Sequence, residues 1–188
     1  IRLPPVRQAL PVATLNRLSR QVEDQPSPIS WTDARLGDML VERDGVRTYS
    51  KSSVELRFTD GARLTVTEDS LVFLHRSGTV LKGAERKSIE LMKGQAELDA
   101  RSNMPATGAP EVEIIVGASR TTSRADKSGG AQTRARKAEG NSAKVMVYGG
   151  ESDVEAGGAK VPGPHGMGPP LAASRPPPPP PKALGAPP

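Results

Sequence analysis

The sequence contains no cysteine among its 188 residues, which removes disulfides and every thiolate-ligated metal centre from consideration. Aromatic residues make up 3% and hydrophobic residues 35%, so a core must be small and aliphatic. Histidine occurs only at His75 and His165, in separate segments, and neither a zinc triad nor a Ser-His-Asp set can be built on several histidines. Glu68 and Asp69 are adjacent and would project from opposite faces of a strand, so they form no acid/base pair by themselves. The phosphate loops GxGxxG and GxxxxGK[ST] do not occur. No apolar run approaches the roughly 18 residues that a membrane helix needs. Ile1 opens no signal peptide, so the chain reads as beginning in mid-protein, with an export signal upstream or removed. The expectation is a protein that is not an enzyme, with no catalytic, cofactor-binding or metal-binding residue.

What the sequence does contain is alternation. Between 36 and 74, Val54, Leu56 and Phe58, then Leu64 and Val66, then Leu71 and Phe73 recur at the period of two that a strand with one buried face requires. Gly37-Asp38, Asp44-Gly45 and Asp60-Gly61 punctuate these runs, where glycine supplies positive φ without steric cost. A two-residue hairpin at Asp60-Gly61 would set Phe58 opposite Arg63 and mix an apolar with a charged residue on one face. A three-residue connection over 60–62 would pair Phe58 with Leu64 and Leu56 with Val66. A corner between strands of different sheets or successive coils is the third option.

Along the rest of the chain, Val12, Leu15, Leu18 and Val22 sit at helical spacing within a lead-in of residues 1–30. Trp31, the only tryptophan, is expected as a partly buried ring covering one end of a sheet. His75, Arg76 and Gly78 read as a turn before Val80 and Leu81. Ile89, Leu91, Ala96 and Leu98 alternate around Lys93-Gly94, as a strand pair or one long bent strand. After a loop at 101–110, Val112, Ile114 and Val116 form a strand; 144–148, 154–156 and 160–161 form others. The stretch 118–142 is polar and basic, and its composition predicts a solvated loop, with Thr121-Thr122-Ser123 and Thr133 able to pair as an edge and Ser128-Gly129-Gly130 as a turn. Residues 169–188, with unbroken proline over 176–181, make a disordered polyproline II linker.

Taken in order, several of these pieces resemble one family. Trp31, Leu36-Gly37-Asp38, Val46-Arg47-Thr48, the run from Ser53 to Gly61, Glu68-Asp69-Ser70, Leu91 with Gly94, and Val145-Met146-Val147-Tyr148-Gly149-Gly150 with Gly166-Met167-Gly168 resemble the FecR domain over about residues 13–168. The resemblance implies strands rather than a helix before Trp31, although the glycine usual between them is replaced by Ser19-Arg20. It also implies a β domain over 31–168. The expected fold class is all-β, many short strands in a FecR-like sandwich or short solenoid.

Function follows from the same resemblance. It implies a noncatalytic periplasmic or cell-envelope module that meets a protein partner or the cell wall, with sheet edges as the place where a partner adds a strand. LysM or immunoglobulin-like domains would be its neighbours in a longer chain. An anti-sigma regulator of a TonB-dependent signalling system is the alternative, although the cytoplasmic helix and membrane span of such regulators are not in this sequence. A net charge of +5 allows a third role, polyanion binding through 120–137 by Arg120, Arg124, Lys127, Arg134, Arg136 and Lys137. That segment lacks the aromatics that single-strand binders interleave with charge, so nucleic acid is not the expected partner.

Overall fold

The computed structural model describes residues 10–27, 29–77, 86–100, 111–124, 131–137, 143–149, 151–156 and 159–162. The expected loop at 101–110, the turn at 128–130, Gly78, Val80, Leu81, His165 and the linker at 169–188 lie outside them. Among the described residues there is no helix. The strands are β1 (Ala13–Ser19), β2 (Val22–Ser27), β3 (Ser30–Asp33), β4 (Met39–Leu40), β5 (Gly45–Thr48), β6 (Ser53–Phe58), β7 (Arg63–Val66) and β8 (Leu71–Ser77). They continue with β9 (Arg86–Asp99), β10 (Glu111–Val116), β11 (Ser119–Arg124), β12 (Gln132–Lys137), β13 (Ala143–Gly149), β14 (Glu151–Ala156) and β15 (Ala159–Pro162).

All of them belong to one curled open sheet, and β9 is its spine. Its first half pairs with β8 and β10, its second half with β7 and β12. Two layers result. One runs β4-β1-β6-β7-β9-β12-β13, the other β3-β2-β5-β8-β9-β10-β11-β14-β15. The chain crosses between the layers again and again, and their inner faces share a single aliphatic core that includes Leu15, Leu56, Leu64, Leu74, Ile89, Leu98 and Ile114. Lys87, 5% exposed and rooted in the second layer, reaches Asp60 (2.8 Å) and Thr59 Oγ1 (3.0 Å) at the β6–β7 turn of the first. It bolts one end of the core shut.

The passage from layer to layer along β9 occurs at Gly94, φ +85°, where the strand bends rather than breaking into a pair. A Cβ there would lie 2.7 Å from Ser70 Cα, so only glycine lets the two backbones approach. Around this corner the Gln95 amide donates to Ser70 Oγ (3.0 Å), the Ser70 amide donates to Thr48 Oγ1 (3.0 Å), and Ser70 Oγ donates to the Glu68 carbonyl (2.9 Å). The sequence pieces around Thr48, Ser70 and Gly94, far apart in the chain, thus meet in one buried hydrogen-bond network.

At the start of the chain, residues 12–22 pair as β1 and β2 despite their helical spacing. β1 matches β6 from Ala13↔Phe58 to Ser19↔Ser53, and a bulge after Leu15 lets both Leu15 and Leu18 turn toward the core. Arg20 takes the left-handed conformation (φ +61°) between the two strands, doing the work of the absent glycine.

Four local expectations are corrected. The β6–β7 turn follows none of the three options: the Phe58 amide donates to the Ala62 carbonyl (2.9 Å) and the Gly61 amide to the Phe58 carbonyl (3.0 Å), with Gly61 at φ +91°. Gly61 and Ala62 together face Phe58 in a bulge, which sets Arg57↔Arg63, Leu56↔Leu64 and Val54↔Val66 and keeps every leucine and valine inside. In β8 the phase is reversed, for Val72 and Leu74 are buried while Leu71 and Phe73 lie on the outer face. β8 also runs through His75 and Arg76, where a turn was expected. Finally, 118–142 is not a loop throughout: β11 and β12 are strands, and β12 is internal, with Thr133 and Ala135 pointing into the core.

Candidate functional site

Among the described residues, those that carry reactive chemistry are dispersed. His75 is half-exposed and bonds Glu90 at 3.0 Å on the outer face of the second layer. Glu68 accepts from the Lys51 amide (2.8 Å), and Asp69 occupies a turn at φ +52°. Among the described residues, no group of three or more His, Asp or Glu side chains could hold a metal ion. No helix among them is long and apolar enough to cross a membrane.

Two outward features concentrate recognition groups instead. The first lies on the outer face of β2, β3, β5 and β8. Gly45 was expected to turn the chain, yet it lies within β5, and Arg43 takes the positive φ (+70°) in its place. The glycine leaves a gap: a Cβ at position 45 would stand 2.7 Å from Phe73 Cε1 and 2.9 Å from Trp31 Cη2. Into that gap the two rings fold edge to face, 6.4 Å apart, which is why Phe73 can point outward and remain half-covered. The Arg47 guanidinium stacks 4.7 Å from the Trp31 ring centre and 5.1 Å from that of Tyr49. Glu23 Oε2 accepts from Arg47 and from the Tyr49 hydroxyl (2.8 Å). Hydrogen bonding to Arg47 holds the Glu23 carboxyl below the usual carboxylate range, and its bond to Glu23 pushes the Tyr49 phenol up. On the opposite face of β2, burial pushes the Asp24 carboxyl up even though it accepts from Thr32 Oγ1 (2.9 Å). Trp31 is thus a half-buried ring at the β3 edge, as its uniqueness suggested; its partnership with Glu23, Arg47, Tyr49 and Phe73 was not legible, since only the pairing of β2, β3, β5 and β8 assembles them.

The second feature is the β12–β13 end of the first layer. Among the described residues of 120–137, the basic side chains do not form one patch. Arg134 pairs with Glu97 and lies 5.6 Å from the Tyr148 ring centre, Arg120 stands 3.9 Å from Glu113, and Lys127 lies outside the described residues. Arg136 sits directly opposite Lys144 across the β12–β13 ladder. Thr65, Glu97, Asp99, Gln132, Arg134 and Tyr148 line a shallow cleft of about 190 Å³ on the outer face. β13 pairs, among the described residues, only with β12.

Comparison with known proteins decides the lineage. The family model described as FecR protein matches residues 44–151, more than half of the chain. The chain belongs to the FecR family. The match spans β5 to the start of β14 and includes the Thr48–Ser70–Gly94 corner, Arg47 and Tyr49 of the aromatic cluster, and the whole of β13. FecR-family proteins are membrane-associated signalling proteins with periplasmic domains. No curated protein and no solved structure matches the chain.

Proposed function

We propose that this FecR chain is a noncatalytic, periplasmic or envelope-associated module that works by holding a protein partner, without cofactor or metal. The observation that carries this reading is the open sheet: its layers end in strands whose outer side pairs with no other described strand, and such edges accept an added strand through main-chain hydrogen bonds. Family membership supports it, because the family is of the signalling type. The anti-sigma role is the finer form of the same reading.

Polyanion binding is less well supported by the geometry, since Arg134 is already neutralised by Glu97 and Arg120 stands beside Glu113. Capture from envelope extract with the immobilised chain at low and physiological salt tests the two. A protein retained at both salt concentrations is expected. Retention of nucleic acid that collapses by orders of magnitude as salt rises would reverse the conclusion.

A further inference from the structure

The strands that end the two layers are not equivalent. β4 has two residues; β3 has four and ends in Asp33; β15 has four and ends in Pro162. Short length, charge and proline are the devices by which natural sheets keep foreign strands off an edge. β13 has none of them over most of its seven residues: it contains no proline, and Lys144 is its one charge. Its single irregularity lies at the Gly149 end of its pairing with β12.

The side chains of this edge are arranged in two rows. Val145 closes the core at 3% exposure, and Val147, one step along the same face, is only half-covered. On the outer face stand Lys144, Met146 and Tyr148, the last 51% exposed. The outer row is electrically unbalanced at one end. Arg134 has its carboxylate in Glu97, but Arg136, one rung along, faces Gln95 on one side and Lys144 on the other. Neither Arg136 nor Lys144 has a side-chain partner among the described residues. Like charges directly opposite each other destabilise a ladder, whereas an acidic group beside them turns the penalty into an attraction.

We propose that β13 receives an extended segment of a partner protein as an added strand, with apolar side chains on the core-facing side and a carboxylate on the outer side seated against Arg136 and Lys144. The proposal rests on the protein-binding reading above and specifies its site. An incoming strand would lie about 4.8 Å from β13 and alternate its side chains to the two faces. Its inner residues would cover Val147 and extend the core, and its outer residues would meet Lys144, Met146 and Tyr148. Main-chain bonds supply affinity, and the acid at the Lys144 end fixes direction and register.

The probes are two synthetic nine-residue peptides of alternating valine and threonine, one with glutamate and one with lysine at the outward position that would face Lys144. Binding is read by fluorescence anisotropy and by amide hydrogen exchange of the full chain. The glutamate peptide should slow exchange across 143–149, and Lys144→Glu should weaken it at least tenfold while improving the lysine peptide. Arg136→Gln serves as a second variant should Lys144→Glu fail to fold. Absence of protection at 143–149, or affinities that ignore both substitutions, would overturn the proposal. Envelope capture separates it from the broader reading: a protein partner retained equally by native and Lys144→Glu chains leaves protein binding intact and places it away from β13.

Discussion

Replacing Gly94 by alanine tests the corner on which both layers depend. Two costs are separable there. An L-residue at φ +85° carries a strain of about 1–2 kcal/mol for leaving the right-handed regions. The new Cβ also meets Ser70, whose Cα would be only 2.7 Å away, and this neighbour is backbone that can yield only by displacing β8. Such overpacking costs about 1–3 kcal/mol, and loss of the 3.0 Å bond from the Gln95 amide to Ser70 Oγ adds about 1 kcal/mol. The sum is roughly 3–6 kcal/mol, which for a chain of this size lowers the melting temperature by roughly 6–24 °C. Two other glycines isolate the terms. Gly61 has φ +91° with nothing within 4 Å of its Cβ position, so Gly61→Ala carries only the strain of about 1–2 kcal/mol. Gly45 has no positive φ and only the ends of two flexible rings nearby, so Gly45→Ala should change stability by less than about 1 kcal/mol and register chiefly as a shift in Trp31 fluorescence. Thermal melts followed by circular dichroism rank the three. Equal melting temperatures for Gly94→Ala and Gly61→Ala would show that Ser70 is not what excludes a side chain at the corner.

Phe58→Ala empties a site only 2% exposed and should cost about 3–5 kcal/mol by denaturant titration, against about 1 kcal/mol for Thr59→Ala, which loses the bond from Lys87; equal costs would contradict the assignment of faces. Lys87→Ala strands the Asp60 carboxylate at the core's end, and its melt should fall well below that of the double variant Lys87→Ala, Asp60→Ala, the reverse order ruling out a bolt. Asp24 gives a pH signature. Its folded-state carboxyl is raised by burial, so the charged form weakens the fold above that value and the cost disappears as pH falls through it. Asp24→Asn, which keeps an acceptor for Thr32, should therefore melt higher than the native chain at neutral pH and lose that advantage in acid. Glu23 has the opposite sign: its lowered carboxyl stabilises the fold at neutral pH and through the ordinary carboxylate range, and the contribution fades only below it. The native advantage over Glu23→Gln should accordingly persist down to that range and vanish in stronger acid.

The strands that read most plainly were those with one apolar and one polar face. β6 and β7 alternate without ambiguity, and burial follows the alternation residue by residue; β10 departs from it only at Glu113, which is also buried, and at Ile115, which is apolar on the outer face. β8 did not, because Leu71-Val72-Phe73-Leu74 is apolar on both faces and no period exists to choose between them. The choice is made from outside the strand, by the gap at Gly45 and the ring of Trp31. β12 was hidden for the converse reason: its buried face is Thr133 and Ala135, too small and polar to announce a core, and its place is set by pairing with a strand more than thirty residues earlier. The β6–β7 register turned on a bulge of one residue, which apolar spacing alone does not specify. The aromatic cluster around Arg47 drew on four strands, so no local pattern could gather it. The β13 edge was legible as a strand, but its being an edge is a property of the whole sheet.

The shared strand β9 has a consequence for how the molecule comes into being. Residues 10–77 supply eight strands, yet no ladder joins the half-sheet of β7 to that of β8 except through β9, which follows them in the chain. Until β9 is available, the first layer and the second are two half-sheets joined only by their connecting segments, with no ladder between them and with Ile89, Leu91, Ala96 and Leu98 missing from the core they share. A chain emerging from its N-terminus therefore lacks the strand that joins its two half-sheets, and this late, long-range closure makes for slow folding with sticky, half-built species on the way. A fragment ending before Arg86 should accumulate as aggregate rather than as a smaller domain.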